Sequence, residues 1–155
     1  MSKGHDFDAI FRETGPRLWR ALLAYTGGRR DVAEDALSEA FARAISRSGS
    51  ITAPEAYVYR VAFRVAAAEL KRERRRGDVP DRAVLDEPIL GELFLALRQL
   101  PPTQRAAIYL RYQADLPANE IGKLMGTSAA VVRMHLMRGR RRLAELLAEE
   151  EDVDA

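Results

Sequence analysis

The amino-acid sequence predicts an all-α fold, two small helical domains joined by a short linker. Three observations carry that expectation. Apolar residues recur at steps of three and four, strict period-2 alternation is absent, and the segment RRGDVPDRAVLDEP (75–88) breaks the pattern with a glycine, two prolines and clustered charge. A chain of 155 residues can bury a modest core without staples, and it has no cysteine from which to build a disulfide or a thiolate metal site. The break separates residues 1–76, a linker at 77–88, residues 89–148 and an acidic tail at 149–155.

Helices are expected over residues 5–26, 31–47, 53–76, 89–99, 103–113, 117–125 and 128–148. In DVAEDALSEAFARAISR (31–47), Asp31 followed by Glu34 has capping-box spacing, and Ala33, Leu37, Ala40, Phe41 and Ala44 form an apolar stripe. The opposite face carries Asp35, Ser38, Glu39 and Ala42. Asp35 and Glu39 are like charges one turn apart, which costs roughly 0.2–0.5 kcal/mol unless a basic group answers them. Arg43, one turn further on, is one candidate. A solvated acidic face is the plainer account, and a surface awaiting a basic partner the sharper one.

The helix over 53–76, APEAYVYRVAFRVAAAELKRERRR, takes Pro54 in its first turn and is apolar along two edges. Tyr57, Val58, Val61, Val65 and Ala68 form one edge; Tyr59, Phe63, Ala66 and Leu70 form the other. Arg60, Arg64, Lys71 and Arg75 line a third edge. Two apolar sides place the helix centrally in a bundle, while cations interleaved with aromatic rings suit single-stranded nucleic acid, whose bases stack on such rings.

The C-terminal half contains LPANEIGKLMGTSAAVVRMHLMRGRRRL (116–143). Pro117 opens a short helix with Ile121, Leu124 and Met125 as its apolar face, Gly126 permits a tight turn, and Ser128 can cap the next helix. Together these make a helix-turn-helix unit. Along the second helix, Val132, Leu136, Gly139, Leu143 and Leu146 form a narrow inward stripe. Ala130, Arg133, Met134, Met137 and Arg141 point the other way, flanked by Arg138, Arg140 and Arg142, with no acidic residue between Val131 and Leu143. One side therefore faces a helical core and the other faces phosphates. The N-terminal end of such a helix enters the major groove first, and there Arg133 is the best candidate for a base edge.

Formal net charge is only +2, but it is distributed in blocks: KRERRR (71–76) and RGRRR (138–142) are basic, EEEDVDA (149–155) acidic. The blocks point to a polyanionic partner, with a tail that either masks a basic surface or keeps it soluble. His5 and His135 follow no metal-ligand spacing, so neither metal nor cofactor is expected. No apolar run approaches the roughly 20 residues of a membrane helix, and MSKGHDFDAIF is not a signal peptide, so a soluble cytoplasmic protein without membrane insertion is expected. A metal-dependent nuclease built on Asp31, Glu34, Asp35 and Glu39 is the enzymatic alternative. It is weak, because the first two serve better at a helix start and the other two alone make a thin site. No enzyme activity is expected.

Taken in order, these motifs resemble the extracytoplasmic-function sigma factors, group IV of the sigma-70 family, over nearly the whole chain. DVAEDALSEAFARA is similar to the acidic helix of region 2, which docks on the clamp helices of RNA polymerase. APEAYVYRVAFRVAAAELKRERRR resembles the stretch that melts the minus-ten element and captures its non-template strand. LPPTQRAAIYLRYQADLPANEIGKLMGTSAAVVRMHLMRGRRRL resembles region 4, whose helix-turn-helix reads the minus-35 element. The resemblance implies a region 2-like bundle at 1–76 and a region 4-like domain at 89–148, with RNA polymerase core, promoter DNA and an anti-sigma factor as partners. It assigns Asp35, Ser38 and Glu39 to the polymerase. Tyr59, Arg60, Phe63, Arg64 and Lys71 fall to the minus-ten element, and Ser128, Ala130, Arg133, Met134, Met137, Arg138 and Arg141 to the minus-35 element. The chain departs from the family pattern in region 2, where Tyr57, Arg64 and Ala68 stand for Trp, Asn and Asp, and Ser38 for Gln. In region 4, Pro117 and Val131 replace Ser and Thr. A second reading therefore stays open: a sigma-like helix-turn-helix regulator with weak or no promoter melting.

Overall fold

The computed structural model describes residues 5–77 and 95–154. They form α1 (Phe7–Thr26), α2 (Arg30–Ser46), a 3-10 turn (Ser48–Ser50), α3 (Pro54–Arg76), α4 (Pro102–Tyr112), α5 (Ala118–Met125) and α6 (Ala129–Asp154), with no strand among them. The expected linker beyond Gly77 and the first part of the helix expected over 89–99 lie outside the described residues; residues 95–97 are helical.

Local chemistry sets the boundaries. The Asp6 carboxylate accepts the Ala9 N–H at 3.2 Å and starts α1; Gly27, left-handed at φ 70°, ends it, with the Gly28 N–H donating to Leu23 O at 2.8 Å. The expectation that Asp31 caps α2 is corrected. Arg29 is the N-cap residue, and its N–H donates to Thr26 Oγ1 at 3.1 Å. Asp31 lies in the first turn, where the Arg29 guanidinium holds it at 2.8 Å. That hydrogen bond, together with a backbone N–H, keeps the Asp31 carboxyl below its ordinary range against a smaller opposing effect of burial. The same guanidinium bonds both oxygens of Glu73 near the end of α3, one at 2.7 Å. Glu73 is only 8% exposed, and this two-pronged, charge-assisted contact is what allows its burial.

The N-terminal half packs through small residues. Ala33, Ala36, Ala40 and Ala44 of α2 are fully buried, which lets α2 lie close against its neighbours. The central helix α3 buries Val58, Tyr59, Val61, Ala62, Phe63 and Ala66, in keeping with its two apolar edges. In the C-terminal half, α6 packs on α4 and α5 through Val132 and Leu136, against Leu97, Leu100, Ile108, Leu110, Ile121 and Leu124. Two glycines make this packing possible. A Cβ at Gly139 would stand 2.5 Å from Ile108 Cδ1, and one at Gly122 would stand 2.7 Å from Thr127 O inside the turn between α5 and α6. Helix α6 continues to Asp154, so the acidic run extends the helix beyond its expected end at 148.

The halves do not stand apart. Helix α4 packs on α1 and α5 on α3, and the buried side chains of both halves form one continuous core.

Candidate nucleic-acid and protein interfaces

Where α2 crosses α3, an open groove of about 460 Å³ is lined by Val32, Asp35, Ser38, Glu39, Ala42, Val65, Glu69 and Arg72. Its floor is apolar and its rim carries three carboxylates. Asp35, Ser38 and Glu39 are exposed, as the spacing predicts. Glu39 pairs with Arg43 one turn on, and Glu69 pairs with Arg72 at 2.6 Å. Asp35 has no cationic partner among the described residues, so this rim keeps an uncompensated negative charge. Glu69 and Arg72 escaped the sequence reading because only the crossing of two helices brings them opposite Asp35 and Glu39.

On α3, Arg60, Arg64 and Lys71 are exposed along one edge, as expected. Tyr59 and Phe63 require a correction: their rings do not face solvent. Tyr59 is 0% and Phe63 7% exposed. The Tyr59 hydroxyl accepts a hydrogen bond from Arg17 Nε at 3.0 Å, and burial pushes its phenol up to about 12 against the lowering effect of that guanidinium. The ring lies 6.1 Å from Phe63, which in turn lies 5.3 Å from Tyr25 of α1. Tyr109 of α4 is near enough to interact electrostatically with Tyr59. The alkyl stem of Arg60 meets the turn between α5 and α6: a Cβ at Gly126 would stand 3.3 Å from Arg60 Cδ. The aromatic edge thus faces the inside of the molecule.

On α6, the Ser128 hydroxyl accepts the Val131 N–H at 3.2 Å and caps the helix, as the sequence suggests. Ala130, Arg133, Met137, Arg138 and Arg141 are exposed, while Met134 is half-buried. Arg133, Arg138 and Arg141 have no acidic partner among the described side chains, so their donors point into water. His135 sits between them half-buried, and burial with the adjacent Arg138 pushes its imidazole down, leaving it neutral near pH 7. Arg140 is held differently, by donating to Tyr112 Oη at 2.7 Å with its guanidinium 6.0 Å from that ring. Tyr112 therefore orients a cation beside the exposed face, a role no local pattern announces. Among the described residues no group of three or more His, Cys, Asp and Glu could hold a metal ion, and no helix is long and apolar enough to cross a membrane.

Comparison with known proteins joins these surfaces. Sigma-70 region 2 matches residues 10–76 and Sigma-70, region 4 matches residues 90–143. The chain is 28% identical over 170 residues to the ECF RNA polymerase sigma factor SigE of Mycolicibacterium smegmatis, covering 96% of this chain and 64% of that protein. It is 26% identical over 162 residues to the ECF RNA polymerase sigma factor BldN of Streptomyces coelicolor, covering 93% and 61%. It is 27% identical to the ECF RNA polymerase sigma factor SigM of Mycobacterium tuberculosis, covering 91% and 76%. The chain thus spans somewhat less than two thirds of the length of SigE and BldN. Its fold matches the sigma factor RpoE of Bartonella quintana, solved in complex with the anti-sigma factor NepR, with a TM-score of 0.75 and 22% identity over 92% of this chain and 97% of that one. With both regions matched in order across two helical halves, the chain belongs to the extracytoplasmic-function group of the sigma-70 family.

Proposed function

We propose that this chain is a transcription initiation factor that binds bacterial RNA polymerase core in the cytoplasm and directs it to promoters, contributing binding surfaces and no catalytic group. The observation that carries this reading is the separation of charge by face. Asp35, Glu39 and Glu69 rim an apolar-floored groove, whereas Arg133, Arg138 and Arg141 stand without acidic partners on α6. The groove suits a basic protein helix with some apolar surface. The α6 face suits duplex DNA, phosphate contacts giving affinity and Arg133 supplying base-edge recognition at the minus-35 element. The exposed cations Arg60, Arg64 and Lys71 suit the minus-ten element. An anti-sigma factor is a further proposed partner, by likeness to RpoE with its bound NepR.

Incubation with polymerase core followed by affinity capture tests the central claim; failure to co-purify would overturn it. The second reading, a helix-turn-helix regulator that melts promoters weakly, draws on the burial of Tyr59 and Phe63 and on Arg64 and Ala68 in region 2. Transcription from a pre-melted bubble but not from a closed duplex would favour it.

A further inference from the structure

Tyr112, the last residue of α4, gathers two cations at one ring. The Arg140 guanidinium of α6 lies 6.0 Å from the ring centroid, and the Arg111 guanidinium of α4 lies 5.8 Å from it. Arg140 is fixed twice more: its Nη1 donates to Tyr112 Oη at 2.7 Å and its Nε to Leu136 O at 3.3 Å. The cluster is open to water, with Tyr112 49% exposed. Arg111 meets one carboxylate among the described residues, Asp115 at 3.6 Å, and that group is almost wholly in solvent.

The neighbouring cations of α6 give this arrangement its meaning. Arg142 is answered by Glu145 at 3.2 Å, which offsets its charge. Arg140 is held instead by a hydroxyl and a ring, which orient a guanidinium and leave its charge whole. Bringing two cations to one exposed ring costs repulsion unless an anion answers both. The place of the pair along α6 names the class of that anion. Arg140 follows Arg133 by about two helical turns, so both project from the same side, with Arg140 about 10 Å further along the axis. The major groove is about 8.5 Å deep. With the N-terminal end of α6 at the base edges, Arg140 stands at the lip of the groove, level with the phosphates.

We propose that Tyr112 is a positioning residue for duplex binding: it presets Arg140 of α6 and Arg111 of α4 as a pair that grips the phosphate strand beside the base-reading end of α6. The proposal rests on the reading of α6 as the duplex-reading helix. An arginine loose in solvent gives up rotamer freedom when it meets a phosphate, and a guanidinium already stacked and bonded gives up less. The pair also carries the contact beyond the helix-turn-helix itself, since Arg111 and Tyr112 belong to α4.

Tyr112→Ala in the full chain tests the assignment, read by fluorescence anisotropy on a random-sequence duplex pool and on a duplex selected from that pool by the parent chain. Affinity should fall roughly fivefold to tenfold on both, and the slope of log affinity against log salt should lessen by roughly one to two. Phosphates carry no sequence, so the ratio between the two duplexes should not move. Tyr112→Phe, which keeps the ring and loses the hydroxyl, should fall between parent and Tyr112→Ala. Parent-like affinity and slope in a folded Tyr112→Ala chain overturn the proposal, and so does a loss confined to the selected duplex. A lower urea midpoint with a parent-like slope makes the tyrosine a structural strut between α4 and α6 and overturns it equally. Should Tyr112→Ala not fold, Tyr112→Phe decides: a shallower slope sustains the proposal and a parent-like slope overturns it. Arg133→Ala keeps the two readings apart. Weakened binding there beside a parent-like Tyr112→Ala removes the phosphate grip alone, whereas parent-like binding by both removes α6 as the DNA helix as well.

Discussion

Gly139 occupies a position where a single methyl group has nowhere to go. Its Cβ would meet Ile108 Cδ1 at 2.5 Å and Leu100 Cδ2 at 3.4 Å, and Ile108 is itself only 2% exposed. Gly139→Ala gains about 1 kcal/mol of helix propensity but incurs about 1–3 kcal/mol of overpacking. The expected outcome is a net loss near 1 kcal/mol, read as a lower urea midpoint with unchanged slope. Arg133 presents the opposite case, an exposed side chain with no partner inside the protein. Arg133→Ala should leave the urea midpoint unmoved and cost about 1–3 kcal/mol of binding at a cognate duplex, measured by fluorescence anisotropy. A uniform loss on every duplex would assign Arg133 to phosphate instead of a base. Both residues were legible in the sequence, because a sustained three–four step fixes which side of a helix is buried. Arg105 of α4 was not: an arginine is usually exposed, and nothing local marks one that is buried with a carbonyl partner, Tyr25 O, 80 residues away in sequence.

Helix α2 shows how one element serves two neighbours. Its alanines seat it on the core, while Asp35, Ser38 and Glu39 form one wall of the groove whose other wall is α3. Both carboxylates are exposed, so replacing them disturbs folding little: the Glu39–Arg43 pair is a surface i,i+4 contact worth about 0.3–0.5 kcal/mol. Asp35→Lys combined with Glu39→Lys should therefore keep the helix content and the urea midpoint within about 1 kcal/mol while abolishing capture of polymerase core. Retained capture would move the polymerase contact elsewhere. The α2 face was readable from spacing, but its start was not, because Arg29 captures Asp31 as a salt-bridge partner before it can cap. For α3 the difficulty was a different one. Two apolar edges predict a central helix without saying which neighbour covers which edge; on the Tyr59 side it is α1, through Arg17 on the Tyr59 hydroxyl and Tyr25 beside Phe63.

At the scale of the molecule, two helical halves share one core, and the longest helix carries both signs. From Arg133 to Glu149 the backbone advances 16 residues, or about 24 Å, along one unbroken axis. That exceeds twice the Debye length of about 8 Å at physiological salt. Composition alone left open a tail that shields the basic face, yet a continuous helix carries its end away from its beginning. Deleting residues 149–155 should accordingly leave duplex affinity within about twofold at physiological ionic strength; a large gain would mean that the last turns fray and fold back. The helix thus acts as a spacer bar, keeping Glu149 at arm's length from the DNA contacts proposed for Arg133. Whatever the acidic end meets, it meets from outside the footprint proposed on the double helix.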